Sequence, residues 1–516
     1  MKTIVAILLL TVSYIQGKSQ VNLAGTRWII AGPQAVEVVF TDTSRPAIHV
    51  KYDSLNPTYP YYHTAGHSNI CDSATGKLLF STTGMLIHDT TGAIMDNGDH
   101  LVDSLYYNYS FYPSADYTQA SIILPKGSNG QYYVFIPTIS DSAYDFYLTN
   151  MGAGGAVPFD RLQYNIVDMN LNGGLGKVTV KNKMLLQGVA IHKTMMQACR
   201  HSNGADWWLL KQGEYDTNRI YRFLVKADTI EGPWIQEFAE PKYPSYDLTG
   251  QYAFSKDGTK FASVQGKGKM NKLFLADFDR CTGELSNPKI KNIPIDSTTY
   301  LMIDTVGTLD SINTGVCFSP NGQYVYISKR FNVYQYEYGE PDSTIAWYRV
   351  KHGSDTNQQM FQYYSHMGLG MDGRIYIGNV GGQMRQMSVI DKPDIKGVGC
   401  QFCRKCLRLD NVYTGFNAPP NMPDYTLGAS GQVCWPLSNM QYLVDSKQLE
   451  VYPNPASTKI NIQILNPKIK KEKIELHNSV GQLLFTTNEN EIDVSKYSSG
   501  VYYIKVGTAV KKVVIE

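Results

Sequence analysis

Net charge is almost absent from this chain. Its 47 Lys and Arg stand against 45 Asp and Glu, leaving a formal charge of +2 over 516 residues. So neutral a surface gives no electrostatic basis for gripping nucleic acid or an anionic membrane. No basic stretch carries interleaved aromatics. Long hydrophobic runs are scarce as well. The one concentrated run, residues 4–12, is too short to span a bilayer, and nothing downstream approaches the ~18 apolar residues of a spanning helix. Helical periodicity is also scarce. In excess are tyrosine, at 37 residues, and glycine, at 44. Tyr with Val, Ile, Thr and Phe favours strands. A hydrophobic content of 43% supplies large cores and excludes a largely disordered chain.

The N-terminus reads MKTIVAILLLTVSYIQGKSQ. Lys2 provides a positive start, residues 4–12 an apolar stretch, and Gly17 and Ser19 small residues at −3 and −1. Residues 1–19 are therefore expected to be a secretory signal peptide, with no membrane span in the mature chain. Eight cysteines follow: Cys71, Cys199, Cys281, Cys317, Cys400, Cys403, Cys406 and Cys434. An even count in an exported chain makes them candidate disulfide cysteines, with pairing open. Cys281 and Cys317 lie on successive units and are placed to join them. Cys71 and Cys199 are a further pair.

What recurs along the chain is a strand, a tight Gly turn and another strand. Copies begin at Ser68, Ala120, Gln197, Tyr252, Gly315 and His366. Thr-Gly, Asn-Gly or Asp-Gly between alternating apolar residues is a strong hairpin signal. The turn glycines are Gly76, Gly130, Gly204, Gly258, Gly322 and Gly373, spaced by 54, 74, 54, 64 and 51 residues. A period near 50 with four strands per unit predicts an all-β fold, a β-propeller over residues 20–444. About seven blades are expected. The seventh would be closed from both ends, by TRWIIAGPQAVEVVF from Thr26 and by the segment around Cys400 to Leu409. The copies resemble bacterial propeller repeats related to the WD family, with an F-S-P-[ND]-G core. Phe318, Ser319, Pro320, Asn321 and Gly322 match that core. Phe254, Ser255, Asp257 and Gly258 match all but the proline.

Residues 445–516 change character. LEVYPNPASTKINIQIL opens a run of short alternating strands, enough for a small immunoglobulin-like β-sandwich. Four ordered motifs carry a resemblance to the type A C-terminal sorting domain of type IX secretion, used by Bacteroidota. They are Tyr452, Pro453, Asn454 and Pro455, then Gly481 at a central turn, then Gly500 with Tyr502, then Lys511 and Lys512 near the end. Pro453 and Pro455 stiffen the opening, and Gly481 and Gly500 are expected at tight turns. The resemblance implies handling by the outer-membrane translocon, removal by a sorting peptidase, and a destination outside the cell or on its surface.

No catalytic, cofactor or metal residues stand out. His63 and His67 lack the acid of an H-E-x-x-H pair, and His88, His100, His192, His201 and His366 are scattered. Cys400, Cys403 and Cys406 have cluster-like spacing, but the exported setting favours disulfides. Turns such as DSATG, HDTTG and DRCTG read as Asx caps rather than calcium loops. Of Trp207–Trp208 and Tyr61–Tyr62, one member each is expected in the core and its neighbour in solvent. The best functional reading is a binding module for an extracellular glycan or protein. The alternatives are a hydrolase or lyase working at the channel, and a surface adhesin.

Deleting residues 449–516 should leave the propeller folded and hold it in the periplasm. Fractionation and surface proteolysis of cells check this, and normal surface delivery of the truncated chain would refute the sorting role.

Overall fold

Strands joined through left-handed glycines build the molecule one sheet at a time. In the computed structural model the described residues are 21–30, 36–40, 46–50, 66–110, 114–115, 117–151, 158–213, 218–241, 250–265, 271–295, 303–304, 307–308, 313–350, 363–384, 386–409, 414–431, 434, 449–465, 467, 472–478, 483–507 and 509–516. The N-terminal leader, Tyr61, Tyr62, His63, Gly481 and the 444/445 boundary lie outside them.

Blade 1 holds β1 (Arg27–Ile30), β2 (Val36–Val39) and β3 (Ala47–Val50). Blade 2 holds β4 (Ser68–Cys71), β5 (Leu78–Thr82) and β6 (Ile87–Asp89), and helix α1 (Ser104–Tyr109) follows it. Blade 3 runs through β7 (Ile122–Pro125), β8 (Gln131–Thr138), helix α2 (Asp141–Met151) and β9 (Phe159–Asp168). It ends on the first half of β10 (Lys177–Arg200). Blade 4 adds β11 (Trp207–Gly213), β12 (Asn218–Val225) and β13 (Ile230–Phe238) to the second half of β10. Blade 5 is β14 (Gly250–Phe254), β15 (Lys260–Gln265), β16 (Lys272–Phe278) and β17 (Leu285–Asn292). A hairpin, β18 (Ile303–Asp304) with β19 (Gly307–Thr308), precedes blade 6. Blade 6 is β20 (Asn313–Phe318), β21 (Tyr324–Lys329), β22 (Val333–Glu337) and β23 (Trp347–Val350). Blade 7 is β24 (Tyr363–Leu369), β25 (Ile375–Met384), β26 (Gln386–Ile390) and β27 (Phe402–Arg408), with β28 (Thr414–Asn417) also on β25.

Successive first strands lie side by side around one axis: β1 by β4, β4 by β7, β10 by β14, β14 by β20 and β20 by β24. The fold is thus a seven-bladed β-propeller. All six expected glycines turn from the first to the second strand of a blade, with φ between 67° and 77°. In blades 5 and 6 the turn chemistry repeats. Ser255 donates to Asp257 (2.5 Å) and Ser319 to Asn321 (2.8 Å), and each serine hydroxyl accepts the amide five residues on. This is what a Ser-x-[Asp/Asn]-Gly run supplies to a hairpin.

Two expectations about the ring need correction. The segment from Cys400 to Leu409 does not share a blade with the strands that follow Thr26. It carries β27, the outer strand of blade 7, while blade 1 uses N-terminal residues alone among those described. Blades 1 and 7 instead meet through aromatic packing, with the Trp28 ring 4.6 Å from Phe40 and 5.4 Å from Tyr376. The second correction concerns Trp207 and Trp208, which are both buried, at 1% and 0% exposure. Adjacent strand residues face opposite sides, and both faces of a middle blade are covered by neighbours. β10 adds a further feature. It pairs with β9 along residues 177–191 and with β11 from Ile191 to Arg200, so one strand belongs to two blades.

After β28 the chain forms a strap, residues 418–431, that runs along the inner strands from His67 and Ser121, at the starts of β4 and β7, to Ser202 at the glycine turn of blade 4. Asn421 is its fixed point. Its side-chain amide donates to the carbonyls of Ser121 (2.8 Å) and Met196 (3.0 Å), and its oxygen accepts from Gln119 and Gln197. The Tyr425 hydroxyl donates to the Ile123 carbonyl (2.8 Å), and Asn22 and Arg200 donate to the Tyr425 carbonyl. A disulfide then joins Cys434 to Cys281 of blade 5. The C-terminal module forms two facing sheets, β29 (Leu449–Tyr452), β30 (Lys459–Ile464) and β33 (Glu491–Asp493) against β32 (Leu483–Thr487), β31 (Ile474–Asn478), β34 (Gly500–Val506) and β35 (Ala509–Ile515). Its core includes Leu449, Ile460, Leu476, Ile504 and Val513.

Replacing Asn421 by Ala should strand several buried carbonyls and amides at once and cost about 3 kcal/mol. The urea midpoint reads this, and Asn129→Ala on an exposed turn should leave the midpoint in place.

Candidate functional site

Inner strands of blades 4 to 7, the start of blade 1 and the strap enclose an axial cavity of about 350 Å³. Trp28, Phe254, Phe318, Met371 and Leu427 share its wall with Gln119, Gln197, Arg200, Gln251 and His366. The polar side chains are engaged in holding backbone. Gln251 donates to the Met367 carbonyl (2.7 Å) and accepts from the amides of Val316 and Met367. Gln119 donates to the Tyr252 carbonyl (2.9 Å) and accepts from its amide (2.8 Å). Arg200 lies 3.9 Å above the Trp207 ring and donates to the carbonyls of Gly204 and Tyr425.

His366 comes to this axis, with His67 close enough to press on its charge. Its Nε2–H donates to the Pro419 carbonyl (2.7 Å), so the ring also fixes the strap. Burial pushes its pKa down to about 4, against the pull of that carbonyl. His192 accepts from the Thr194 amide (3.2 Å) at Nδ1, and burial, with Lys211 and Lys193 nearby, lowers it to about 3. His88 is lowered to about 4 by burial, opposed by Asp89. His201 donates to the Cys281 carbonyl (3.1 Å), and His100 is exposed beside Asp99. The histidines are thus divided between axis, blades and surface. Among the described residues no three His, Cys, Asp or Glu gather as a metal site.

The cysteines pair differently from the expected sets. Cys281 joins Cys434 rather than Cys317, and Cys403 joins Cys406. Cys199, Cys317 and Cys400 are free and buried, and Cys71 is buried as well. Burial raises the thiols of Cys199 and Cys317 to about 12, which keeps them protonated and inert. Acidic turns cap themselves. The Thr75 hydroxyl and amide donate to Asp72 (both 2.7 Å) and hold its carboxyl below the ordinary range. The Thr91 amide and hydroxyl donate to Asp89 in the same pattern.

Sequence reasoning missed the two helices, which are too short and too aromatic to show an apolar stripe. α1 leads from the last strand of blade 2 to blade 3, and α2 joins the second and third strands of blade 3. Both connections fall at the end opposite the glycine turns. The helices pack together through Tyr106, Tyr109 and Tyr144. They leave Tyr107 37%, Tyr109 60% and Phe146 60% exposed. The repeated Tyr in SLYYNYS and DSAYDFY was the available signal.

In the C-terminal module the opening motif reaches the last strand. Asn454 accepts from the Val514 amide (2.8 Å) and donates to the Lys512 carbonyl (2.9 Å), while Tyr452, Pro453 and Pro455 are exposed. The Tyr502 hydroxyl donates to the Ser498 carbonyl (2.7 Å), and Lys511 and Lys512 pair across from Ile504 and Tyr503. Gly500 starts β34 outside the left-handed region, so no turn depends on its freedom. Residues 450–516 match the family of secretion system C-terminal sorting domains. They are a type IX secretion sorting domain. The chain is therefore a propeller protein marked for export to the cell surface or beyond, and no helix among the described residues is long and apolar enough to cross a membrane.

No curated protein matches the chain. Among solved structures it is similar to a quinonprotein alcohol dehydrogenase-like protein of Bacteroides thetaiotaomicron, at 12% identity over 72% of this chain and 73% of that one, TM-score 0.34. It is also similar to the Dos1 propeller, at 12% over 68% and 73%, TM-score 0.32. Hsv2 of Kluyveromyces lactis is similar at 10% over 72% and 90%, TM-score 0.35. Likenesses this weak carry no argument about ligand or chemistry.

The buried histidines set a pH dependence. The unfolded chain takes up protons near 6.5, whereas the folded chain refuses them at His88 and His366 until about 4 and at His192 until about 3. Stability is therefore full above pH 6.5 and falls as pH drops from there toward about 4 for His88 and His366 and about 3 for His192. Urea midpoints across that window should show it. His366→Gln should flatten the slope by about one proton.

Proposed function

We propose that the exported propeller, residues 20–444, is a binding module for an extracellular glycan, with the paired helices as its platform. The exposed rings of Tyr107, Tyr109 and Phe146 carry this reading. Tyr109 lies 5.8 Å from Tyr144, and Phe146 lies 5.5 Å from Tyr147, so flat faces are grouped rather than scattered. Grouped exposed aromatics mark recognition surfaces. The C–H face of a sugar stacks on such rings, and its hydroxyls find the polar edges of the tyrosines. Asn108, Asp145 and Asn150 are exposed on the same two helices and add donors and acceptors.

Catalysis at the channel has weaker support. His366, Gln119 and Gln251 are neutral groups committed to backbone, and Arg200 is committed to the strap and a hairpin turn. The leader at residues 1–19 and removal of residues 445–516 by a sorting peptidase belong to the same proposal. So does a WD-like kind of repeat, which the shared serine-capped turns of blades 5 and 6 support.

The purified full-length protein on a glycan array should bind a defined set of sugars. Tyr109→Ala with Phe146→Ala should weaken that binding at least tenfold without moving the melting temperature. An array with no bound glycan, or unchanged binding by the double variant, would overturn the reading.

A further inference from the structure

Two disulfides of unlike construction occur among the described residues. Cys281 and Cys434 are 153 residues apart in sequence, whereas Cys403 and Cys406 are 3 apart. Closing a long loop removes far more freedom from the unfolded chain than closing a short one. The short bridge therefore contributes little to holding the fold, although it sits within a strand.

Its surroundings differ as well. Cys403 and Cys406 lie on β27, the outermost strand of blade 7, and both are half-buried. Residues three apart on a flat strand point to opposite faces. Here the strand bulges. Met387 faces Leu407 and Val389 faces Cys403, so Ser388 alone stands opposite residues 404–406. Lys405 at the crest has φ 57°, and its amide donates to the Ser388 hydroxyl (3.1 Å). The bulge swings the two sulfurs to one side. The bridged residues are Arg404 and Lys405, and Arg408 ends the strand. Cationic neighbours favour the thiolate over the thiol and make each sulfur a better leaving group. The sequence Cys-Arg-Lys-Cys thus combines a short loop, partial exposure and local positive charge at a sheet edge.

We infer that Cys403–Cys406 is an exchangeable disulfide, a two-electron acceptor for an external thiol, while Cys281–Cys434 is a permanent one. A thiolate of the reductant attacks one bridge sulfur, forming a mixed disulfide and releasing the other sulfur as a thiolate, which takes up a proton. A second thiolate of the reductant attacks the mixed disulfide at its own sulfur and frees the remaining cysteine, which is protonated in turn. The bridge gains two electrons and two protons, and two thiols of the reductant leave as a disulfide. A dithiol protein and a small monothiol share this chemistry.

Full-length oxidised protein, equilibrated in graded ratios of reduced to oxidised glutathione and separately of dithiothreitol, tests the inference. Alkylation and peptide mass read each bridge. Cys403–Cys406 should open at a ratio at least tenfold lower than Cys281–Cys434 in the dithiothreitol series. Opening in glutathione as well identifies a small thiol as sufficient, and opening in dithiothreitol alone identifies a dithiol reductant. Both bridges opening together, or Cys281–Cys434 opening first, would overturn the inference. So would a Cys403→Ser, Cys406→Ser variant whose urea midpoint falls as far as that of Cys281→Ser, Cys434→Ser.

Discussion

A propeller leaves the free edge of every innermost strand facing its own axis, and each edge carries backbone groups that need partners once water is displaced. The rest of this structure follows from how that need is met. Side-chain amides and hydroxyls stand in for the missing strand. Asn69 of blade 2 bonds both the Ile29 amide and the Arg27 carbonyl of blade 1. Gln251 of blade 5 serves blades 6 and 7 together. Ser328 of blade 6 donates to Ser365 of blade 7 (2.7 Å). Glutamine reaches across where serine bridges neighbours. The polar side chains in the cavity wall are therefore structural amides.

The strap is the largest such substitute. Asn421 takes two carbonyls and two glutamine amides that blades 3 and 4 cannot satisfy between themselves. His366 and Tyr425 add neutral groups suited to the same dry setting. Burial keeps the histidine uncharged, and a charged ring there would stand beside His67 with little water to screen it. The strap also brings the start of the propeller to its end, since Asn22 donates to Tyr425 (2.9 Å). Chain closure is thereby achieved by side chains and aromatic packing rather than by a shared sheet.

Local chemistry was legible in the sequence, and long-range assembly was not. Six glycines marked six hairpins because a two-stranded turn needs a residue at positive φ, and that need is written in four or five consecutive residues. The serine-capped turns of blades 5 and 6 were equally local. The alternation of the C-terminal strands and the order of their motifs marked the sorting domain. In contrast, NAPPNMPDYTLGAS reads as irregular loop, and nothing near it announces that Asn421 meets Ser121 and Met196. Cysteine pairing fails for the same reason, since Cys281 and Cys434 become neighbours only when the strap is laid down. Trp207–Trp208 misled because a strand usually has one wet face, whereas a middle blade has none. The helices carrying Tyr109 and Phe146 were hidden by their shortness.

The Cys281–Cys434 bond also decides how the molecule bears tension. Cys434 lies between the strap and the C-terminal module, so any pull on the module enters the propeller at Cys281, between β16 and β17. The covalent link diverts the force into blade 5 before it reaches Ser430 or Asn421. Hydrogen bonds along the strap, which would otherwise peel one at a time, stay unstrained. Hauling the chain by its address label therefore tugs on a whole sheet, and the clasp that keeps the ring shut feels none of it.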